Sequence, residues 1–177
     1  MSLDARPRPR GLRVRSMTCV FLTHDGAMLL MHRAPTMEIA PGLWAGLGGH
    51  LEPEELRDPE VCALREVEEE SGIGPSDIED LRLQAVVLRR RPTEIRLMYM
   101  YFGRSTTERL GATTEGSLHW IARDDLLARP MSAAIRFTLE RYLRGGLTDD
   151  VWVGTLGKGD DGPAIVWATL ADWEAAR

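Results

Sequence analysis

Four glutamates crowd the end of one predicted helix, in the run Arg65-Glu66-Val67-Glu68-Glu69-Glu70-Ser71-Gly72. At about 100° per residue, Glu66, Glu69 and Glu70 share an arc of roughly 100°, and Glu68 falls outside it. The placement is costly for a helix that is only structural. Like charges at i,i+3 and i,i+4 cost about 0.2–0.5 kcal/mol per pair. Anions in a last turn oppose the helix dipole at about 0.3–1 kcal/mol each. A divalent cation removes both conflicts, because carboxylate oxygens suit Mg²⁺ or Mn²⁺, and Mg²⁺ brings waters and substrate phosphates into its shell. The plainer alternative is a solvated acidic face, which four glutamates in isolation would favour.

The surroundings shift that balance. Asp58 supplies an N-cap and Pro59 a first helical residue, so the helix is predicted over residues 59–71, with Gly72 as a left-handed cap. Ahead of it stand Gly48-Gly49-His50-Leu51-Glu52-Pro53-Glu54-Glu55. Together these residues resemble the Nudix box, G-x5-E-x7-R-E-U-x-E-E-x-G-U with U apolar. Gly49 and Glu55 match its first half; Arg65, Glu66, Val67, Glu69, Glu70, Gly72 and Ile73 match the second without a gap. One departure is that nine residues, not seven, separate Glu55 from Arg65. Two readings follow. Either a two-residue extension around Leu56-Arg57 leaves Glu55 paired with Arg65, or it swings Glu55 into solvent and Glu52 or Glu54 takes its place.

The resemblance, closest to the MutT-type branch, implies a metal-dependent hydrolase that cleaves a phosphoanhydride in a nucleoside diphosphate derivative. It implies Glu66 and Glu70 as metal ligands, Glu69 as a third ligand or the base, and the carbonyl of Gly48 or Gly49 as a further ligand. Arg65 would orient a glutamate. Glu115, in Thr113-Thr114-Glu115-Gly116, stands where the family often supplies another carboxylate, as base or ligand; a turn residue is the competing reading. Gly49, Arg33 and Trp44 are candidates for contact with substrate. Tyr99, Tyr101, Phe102 and Trp120 are candidates for stacking on a base, although alternating aromatics in strands are more often core. The implied cofactor is Mg²⁺, with Mn²⁺ as a substitute. The implied substrate is a small nucleotide, such as the oxidised 8-oxo-dGTP; ADP-ribose and dinucleoside polyphosphates are alternatives, and a non-catalytic nucleotide sensor is a third.

The elements that must hold these groups are legible as well. Met17–Thr23 and Ala27–His32 read as a hairpin around Asp25-Gly26. Trp44–Gly49 reads as a short strand, and Leu81–Arg90, Ile95–Arg104 and Ser117–Ala122 as further strands. Asp124–Leu127 is a helical turn, and Ser132–Arg144 is a helix with Ile135, Leu139, Tyr142 and Leu143 on one face. Val151–Leu156 and Ile165–Leu170 complete a final hairpin. Strands interleaved with two long helices predict an α/β fold, a mixed β-sheet in an α/β/α sandwich like that of the Nudix fold.

With 177 residues the chain fits one domain, assigned to residues 16–177 behind a flexible Arg/Pro-rich arm over 1–15. Met17–Thr23 is too short for a secretory signal core, and no run is long enough for a membrane span. A formal net charge of −5 gives no reason to expect nucleic acid as a partner. The arm Arg6–Arg15 is the feature that points the other way, toward nucleic acid or acidic lipid; with the run Arg89-Arg90-Arg91 it is also the best support for the non-catalytic reading, a domain that senses a nucleotide or binds a partner. Cys19 and Cys62 lack CxxC spacing and read as reduced packing residues of a cytoplasmic protein. The resemblance is compatible with a homodimer, which the residues themselves do not specify.

Overall fold

Asp25 and Gly26 carry the chain through left-handed backbone, φ 46° and 81°, as a two-residue primed hairpin turn requires. They join β1 (Arg13–His24) to β2 (Ala27–Arg33). The computed structural model describes residues 11–172, so the expected arm lies outside the described residues up to position 10. Its remaining stretch needs correcting, since β1 already begins at Arg13. Arg13–Arg15 run in parallel register with the strand that begins at Glu94, from Glu94 to Arg96, so backbone pairing, not apolar side chains, draws them into the sheet.

β1 and β2 pair only beside their turn, at Thr23↔Met28 and His24↔Ala27, and then part. The segment 44–50 fills the gap. Its first residues form the two-residue strand β3 (Trp44–Ala45) on β2, while Leu47 and His50 bridge to Val20 and Met17 of β1. The strand expected over Trp44–Gly49 is therefore divided between two neighbours. Glycine makes this possible: a Cβ on Gly46 would lie 2.5 Å from the carbonyl oxygen of Val20, and one on Gly48 would collide with the Thr18 carbonyl.

Helix α1 (Pro59–Ser71) follows, capped as the sequence predicts by Asp58 at its start and by Gly72 (φ 73°) at its end. Next come β4 (Ile78–Arg90), β5 (Glu94–Ser105), β6 (Gly116–Ala122), α2 (Ala133–Gly145), β7 (Val151–Gly159) and β8 (Gly162–Leu170). The sheet order is β3-β2-β1-β5-β4-β7-β8, with β6 along β2. The β1/β5 and β4/β7 pairs are parallel and the remaining pairs antiparallel, so the sheet is mixed as expected.

Side-chain alternation divides the core into two layers. Val20 and Leu22 of β1, with Leu29, Met31 and Tyr101, pack against Ala63 and Val67 of α1. Cys19 and Phe21, with Met28, Leu30, Met100 and Phe102, pack against Ile135 and Leu139 of α2. One helix per face gives the α/β/α sandwich. The aromatics divide in the same way. Tyr101 and Phe102 are buried on opposite faces, and Phe102 stacks on Tyr142 of α2 at 4.9 Å, so neither ring is free to stack on a base. Among the described residues no helix is long and apolar enough to cross a membrane.

Candidate active site

Glu55 sits in a 3₁₀ turn, Pro53–Arg57, just before α1. The turn is locked by its own cap, because the Glu52 amide donates to Glu55 Oε2 at 2.8 Å. This turn takes up the two extra residues. Glu55 thereby points inward and is only 6% exposed. Arg65, immediately before the acidic run, reaches it with a fork: Nε to Oε1 at 2.7 Å and Nη2 to Oε2 at 3.0 Å. The guanidinium hydrogen bonds and a backbone amide hold the Glu55 carboxyl down to about 2, against the opposing effect of burial. Glu55 raises the pKa of Arg65 in turn. Of the two readings of the extension, the paired one is the structure's.

The third guanidinium nitrogen turns to the helix carboxylates. Arg65 Nη1 donates to Glu66 at 2.9 Å and to Glu69 at 3.1 Å. One arginine thus touches three of the box carboxylates. Glu69 is the most solvated of them, its side chain 61% exposed.

Glu70 lies on the inner side of the helix, 5% exposed, and accepts a 2.8 Å hydrogen bond from the Gly48 amide. Burial pushes its carboxyl up to about 8, with Glu115 and Glu66 adding repulsion; the Gly48 amide and the Arg33 charge pull the other way. Glu66 is raised as well, chiefly by burial, with Arg65 opposing and Glu69 and Glu115 adding to it. The Gly49 backbone lies against the Glu66 carboxylate, where a Cβ would overlap it. Gly48 and Gly49 form a backbone floor on which the buried Glu70 and the partly buried Glu66 rest.

Glu115 reaches the cluster from the other side. Its loop docks on the end of α1, where the Gly111 amide donates to the Ser71 carbonyl at 2.6 Å, and on β2, where the Ala34 amide donates to the Glu115 carbonyl at 2.7 Å. The Glu115 carboxylate stands 3.5 Å from Arg33 Nη2. Arg33 is braced by its Nε bond to the Ile39 carbonyl at 3.0 Å.

The site residues expected from sequence therefore divide. Glu66, Glu69, Glu70, Arg65, Gly48, Gly49, Glu115 and Arg33 come together. Trp44 does not join them: its ring stacks on His32 at 4.8 Å, lies under the Arg129 guanidinium at 5.0 Å and packs on the α2-side core. Two contributors escaped the sequence reading. Cys62 is more than packing, since its Sγ lies 3.6 Å from Arg65 Nη2 and 3.5 Å from Thr18 Oγ1, and burial pushes the thiol up to about 11. The His50 carbonyl accepts from both Arg65 and Cys62. Only the i,i+3 spacing of Cys62 and Arg65 pointed to the first; backbone roles leave no trace in side-chain identity.

Among the described residues, no three acidic, histidine or cysteine groups stand close enough together to hold a metal ion between them. Arg65 holds Glu66 and Glu69, and the Gly48 amide holds Glu70. What the cluster does present is a set of hard oxygen donors carrying more negative charge than its cations neutralise.

Comparison with known proteins agrees with this geometry. A family model described as the NUDIX domain matches residues 12–142. The Escherichia coli nucleoside triphosphatase NudI is 30% identical over 137 residues, covering 72% of this chain and 96% of its own. The Bos taurus m7GpppN-mRNA hydrolase NUDT17 is 42% identical over 81 residues, which is 41% of this chain and only 26% of that protein. The crystal structure of a MutT protein from Bacillus halodurans superposes with a TM-score of 0.67 at 18% identity, covering 88% of this chain and 97% of its own. The chain belongs to the Nudix family. It is a pyrophosphohydrolase of that family, a class that acts on nucleoside diphosphate derivatives.

Proposed function

We propose that the chain is a Mg²⁺-dependent nucleoside triphosphate pyrophosphohydrolase, with oxidised purine triphosphates such as 8-oxo-dGTP among its substrates. One observation carries the metal. Glu70 is buried and Glu66 partly buried on the Gly48–Gly49 floor, with Glu115 adding repulsion, and the charges of Arg65 and Arg33, the first shared with Glu55 and Glu69, do not offset the three. Unneutralised carboxylates at such depth are expensive, and a pair of them matches the one or two that Mg²⁺ takes beside waters and phosphate oxygens. Mn²⁺ has the same donor preference.

Glu66 and Glu70 would hold the ion, with the Gly48 carbonyl beside them and Glu69 in reach. A divalent cation held there would lower the pKa of a bound water and neutralise phosphoryl charge. The residues of the chain supply placement. Arg65 fixes Glu66 and Glu69 from below, its own position set by Glu55, and the Gly48 amide orients Glu70. Arg33 offers a guanidinium to a phosphate at the mouth, next to Glu115. Glu115 is the group best placed to take a proton from attacking water, because it is not engaged by Arg65; Glu69 is the second choice. Close approach of a diphosphate depends on the bare Gly49 backbone.

The likeness to a nucleoside triphosphatase over nearly all of that enzyme's length supports triphosphate substrates. Buried, unpaired Cys19 and Cys62 are in keeping with action in the reducing cytoplasm. The deciding experiment is a panel of the natural (d)NTPs, 8-oxo-dGTP, ADP-ribose and a dinucleoside polyphosphate, with Mg²⁺, Mn²⁺ or EDTA, scored for both products. Release of nucleoside monophosphate and pyrophosphate, abolished by EDTA, is expected. Turnover in EDTA would reject the metal, and turnover of ADP-ribose alone would reject the triphosphate assignment.

A further inference from the structure

The run Arg89-Arg90-Arg91 takes no part in the site above. It lies where β4 ends, and the sheet register gives it unusual neighbours. Arg15 of β1 pairs with Arg96 of β5, and Arg96 pairs with Arg89 of β4. Three arginines therefore stand side by side across three strands, an arrangement that costs stability unless anions intervene. Glu94 relieves two of them, 2.6 Å from Arg96 and 3.8 Å from Arg15.

Glu94 makes no ion pair with the third, Arg89, and acts on it only from further away. Among the described residues, Arg89, Arg90, Arg91 and Lys158 have no carboxylate within 4.0 Å, although the chain as a whole carries a net charge of −5. Arg89 Nε is buried and has no hydrogen-bond partner. Burial, with Arg91 and Arg96 close by, pulls the Arg89 pKa down against the opposing charge of Glu94. These four side chains border an open cleft of about 430 Å³. Its walls include Leu156 and Pro163, from the β7–β8 hairpin, and Ala133, the first residue of α2. The acids of the hairpin tip, Asp160 and Asp161, do not line it.

We propose that this cleft is a second anion site, which binds a phosphate group of a small ligand apart from the glutamate cluster. Guanidinium forks and an ammonium suit a multiply charged oxyanion, and the volume suits a small molecule. The apolar walls have room for the organic part of a phosphate ester. Lys158, Leu156 and Pro163 lie beyond residue 142, where the family match ends, so this chain's C-terminal hairpin supplies one wall of the site and Arg89–Arg91 the other.

The test is calorimetric titration of the full chain in EDTA with inorganic tripolyphosphate, AMP and adenosine. Without metal the glutamate cluster repels polyphosphate, so uptake reports the cleft. Saturable binding of tripolyphosphate is expected, weakened about tenfold or more in the double variant Arg91→Gln/Lys158→Gln. Binding should weaken as salt is raised and survive in Glu70→Gln. Both substituted side chains are exposed, so the double variant should keep the parent unfolding midpoint and its Mg²⁺-dependent turnover. Tighter binding of AMP than of tripolyphosphate would identify a phosphate ester as the ligand; the reverse would identify a free polyphosphate. Absence of saturation, unchanged affinity in the double variant, loss of binding in Glu70→Gln, or equal binding of adenosine and AMP would each overturn the assignment.

Discussion

Arg65 grips Glu55 with two parallel hydrogen bonds, 2.7 and 3.0 Å, across a connection two residues longer than the family pattern. The 3₁₀ turn Pro53–Arg57 absorbs the added length and returns the carboxylate to the guanidinium. Because Nη1 of the same group holds Glu66 and Glu69, the pair acts as a bracket for the acidic face. Lysine cannot form the fork. Arg65→Lys is therefore expected to lower kcat by about tenfold to a hundredfold while leaving KM within about threefold, since it displaces reacting groups more than it weakens binding. Glu55→Gln, which removes the charge but keeps an acceptor, should destabilise the fold by about 1–3 kcal/mol. Steady-state kinetics and chemical denaturation check both, and an unchanged kcat in Arg65→Lys would show that the bracket has no catalytic consequence.

The opposite shifts of Glu55 and Glu70 set a pH dependence for the metal-free protein. The Glu70 carboxyl is raised from 4.5 to about 8, so the folded state binds its proton more tightly than the unfolded chain does. Stability from this group is present below pH 4.5 and lost as pH climbs through about 8. Glu66 acts in the same direction. Glu55 is lowered from 4.5 to about 2, so its contribution is present above 4.5 and lost as pH falls toward 2. Thermal melts in EDTA should thus peak on the acid side of neutrality. Glu70→Gln should flatten the alkaline decline, and Mg²⁺ should raise Tm more at about pH 8 than at about pH 5. A Tm in EDTA that climbs steadily to pH 8 would contradict the assignment for Glu70.

Gly48 and Gly49 are adjacent but fail differently when given a side chain. At Gly48 the backbone has φ 141°, and a Cβ would strike the Thr18 carbonyl. Gly48→Ala should cost stability, by about 1–3 kcal/mol or more, before activity is considered. At Gly49 the obstacle is the Glu66 carboxylate, the movable end of a side chain. Gly49→Ala should fold with a near-normal midpoint and lose activity by about tenfold or more, through displacement of Glu66. Equal loss of stability in the two variants would remove this distinction.

How far the sequence could be read follows from the kind of signal each feature leaves. Helix α1 was legible to the residue, because Asp58, Pro59 and Gly72 each mark a backbone conformation that few residue types satisfy. The ends of the strands were not. Arg13–Arg15 and the residues 78–79 lack apolar alternation and are held by main-chain pairing with β5, which depends on residues eighty or so positions away for β1. The acidic arc, Arg65 and Gly49 were visible from spacing, but the partner of Glu55 was not, since a loop extension can be absorbed in several ways. Trp44 was misleading for a related reason: proximity in sequence to the box says nothing of which face of the sheet a ring occupies. The arginine row at Arg15, Arg96 and Arg89 exists only once the strands are in register.

Glu115 carries the last prediction. Its carbonyl is tied to Ala34, its carboxylate faces Arg33 at 3.5 Å, and its charge acts on both Glu66 and Glu70. A carboxylate so placed, and free of Arg65, is suited to receive a proton from water attacking a bound diphosphate. Glu115→Gln keeps the shape and the Ala34 bond, so the fold should be intact and kcat should fall about a hundredfold or more, the scale for losing a general base. The acid limb of the kcat–pH profile should also change, because the group that must be deprotonated has been removed. Arg33→Met separates this role from mere positioning of Arg33, as it should raise KM for the charged substrate while leaving that limb in place. If Glu115 instead serves only to hold Arg33, the two variants will share one phenotype and the double variant will be no worse than either alone. A Glu115→Gln enzyme within about threefold of the parent, with its pH profile unmoved, would pass the proton-accepting role to Glu69.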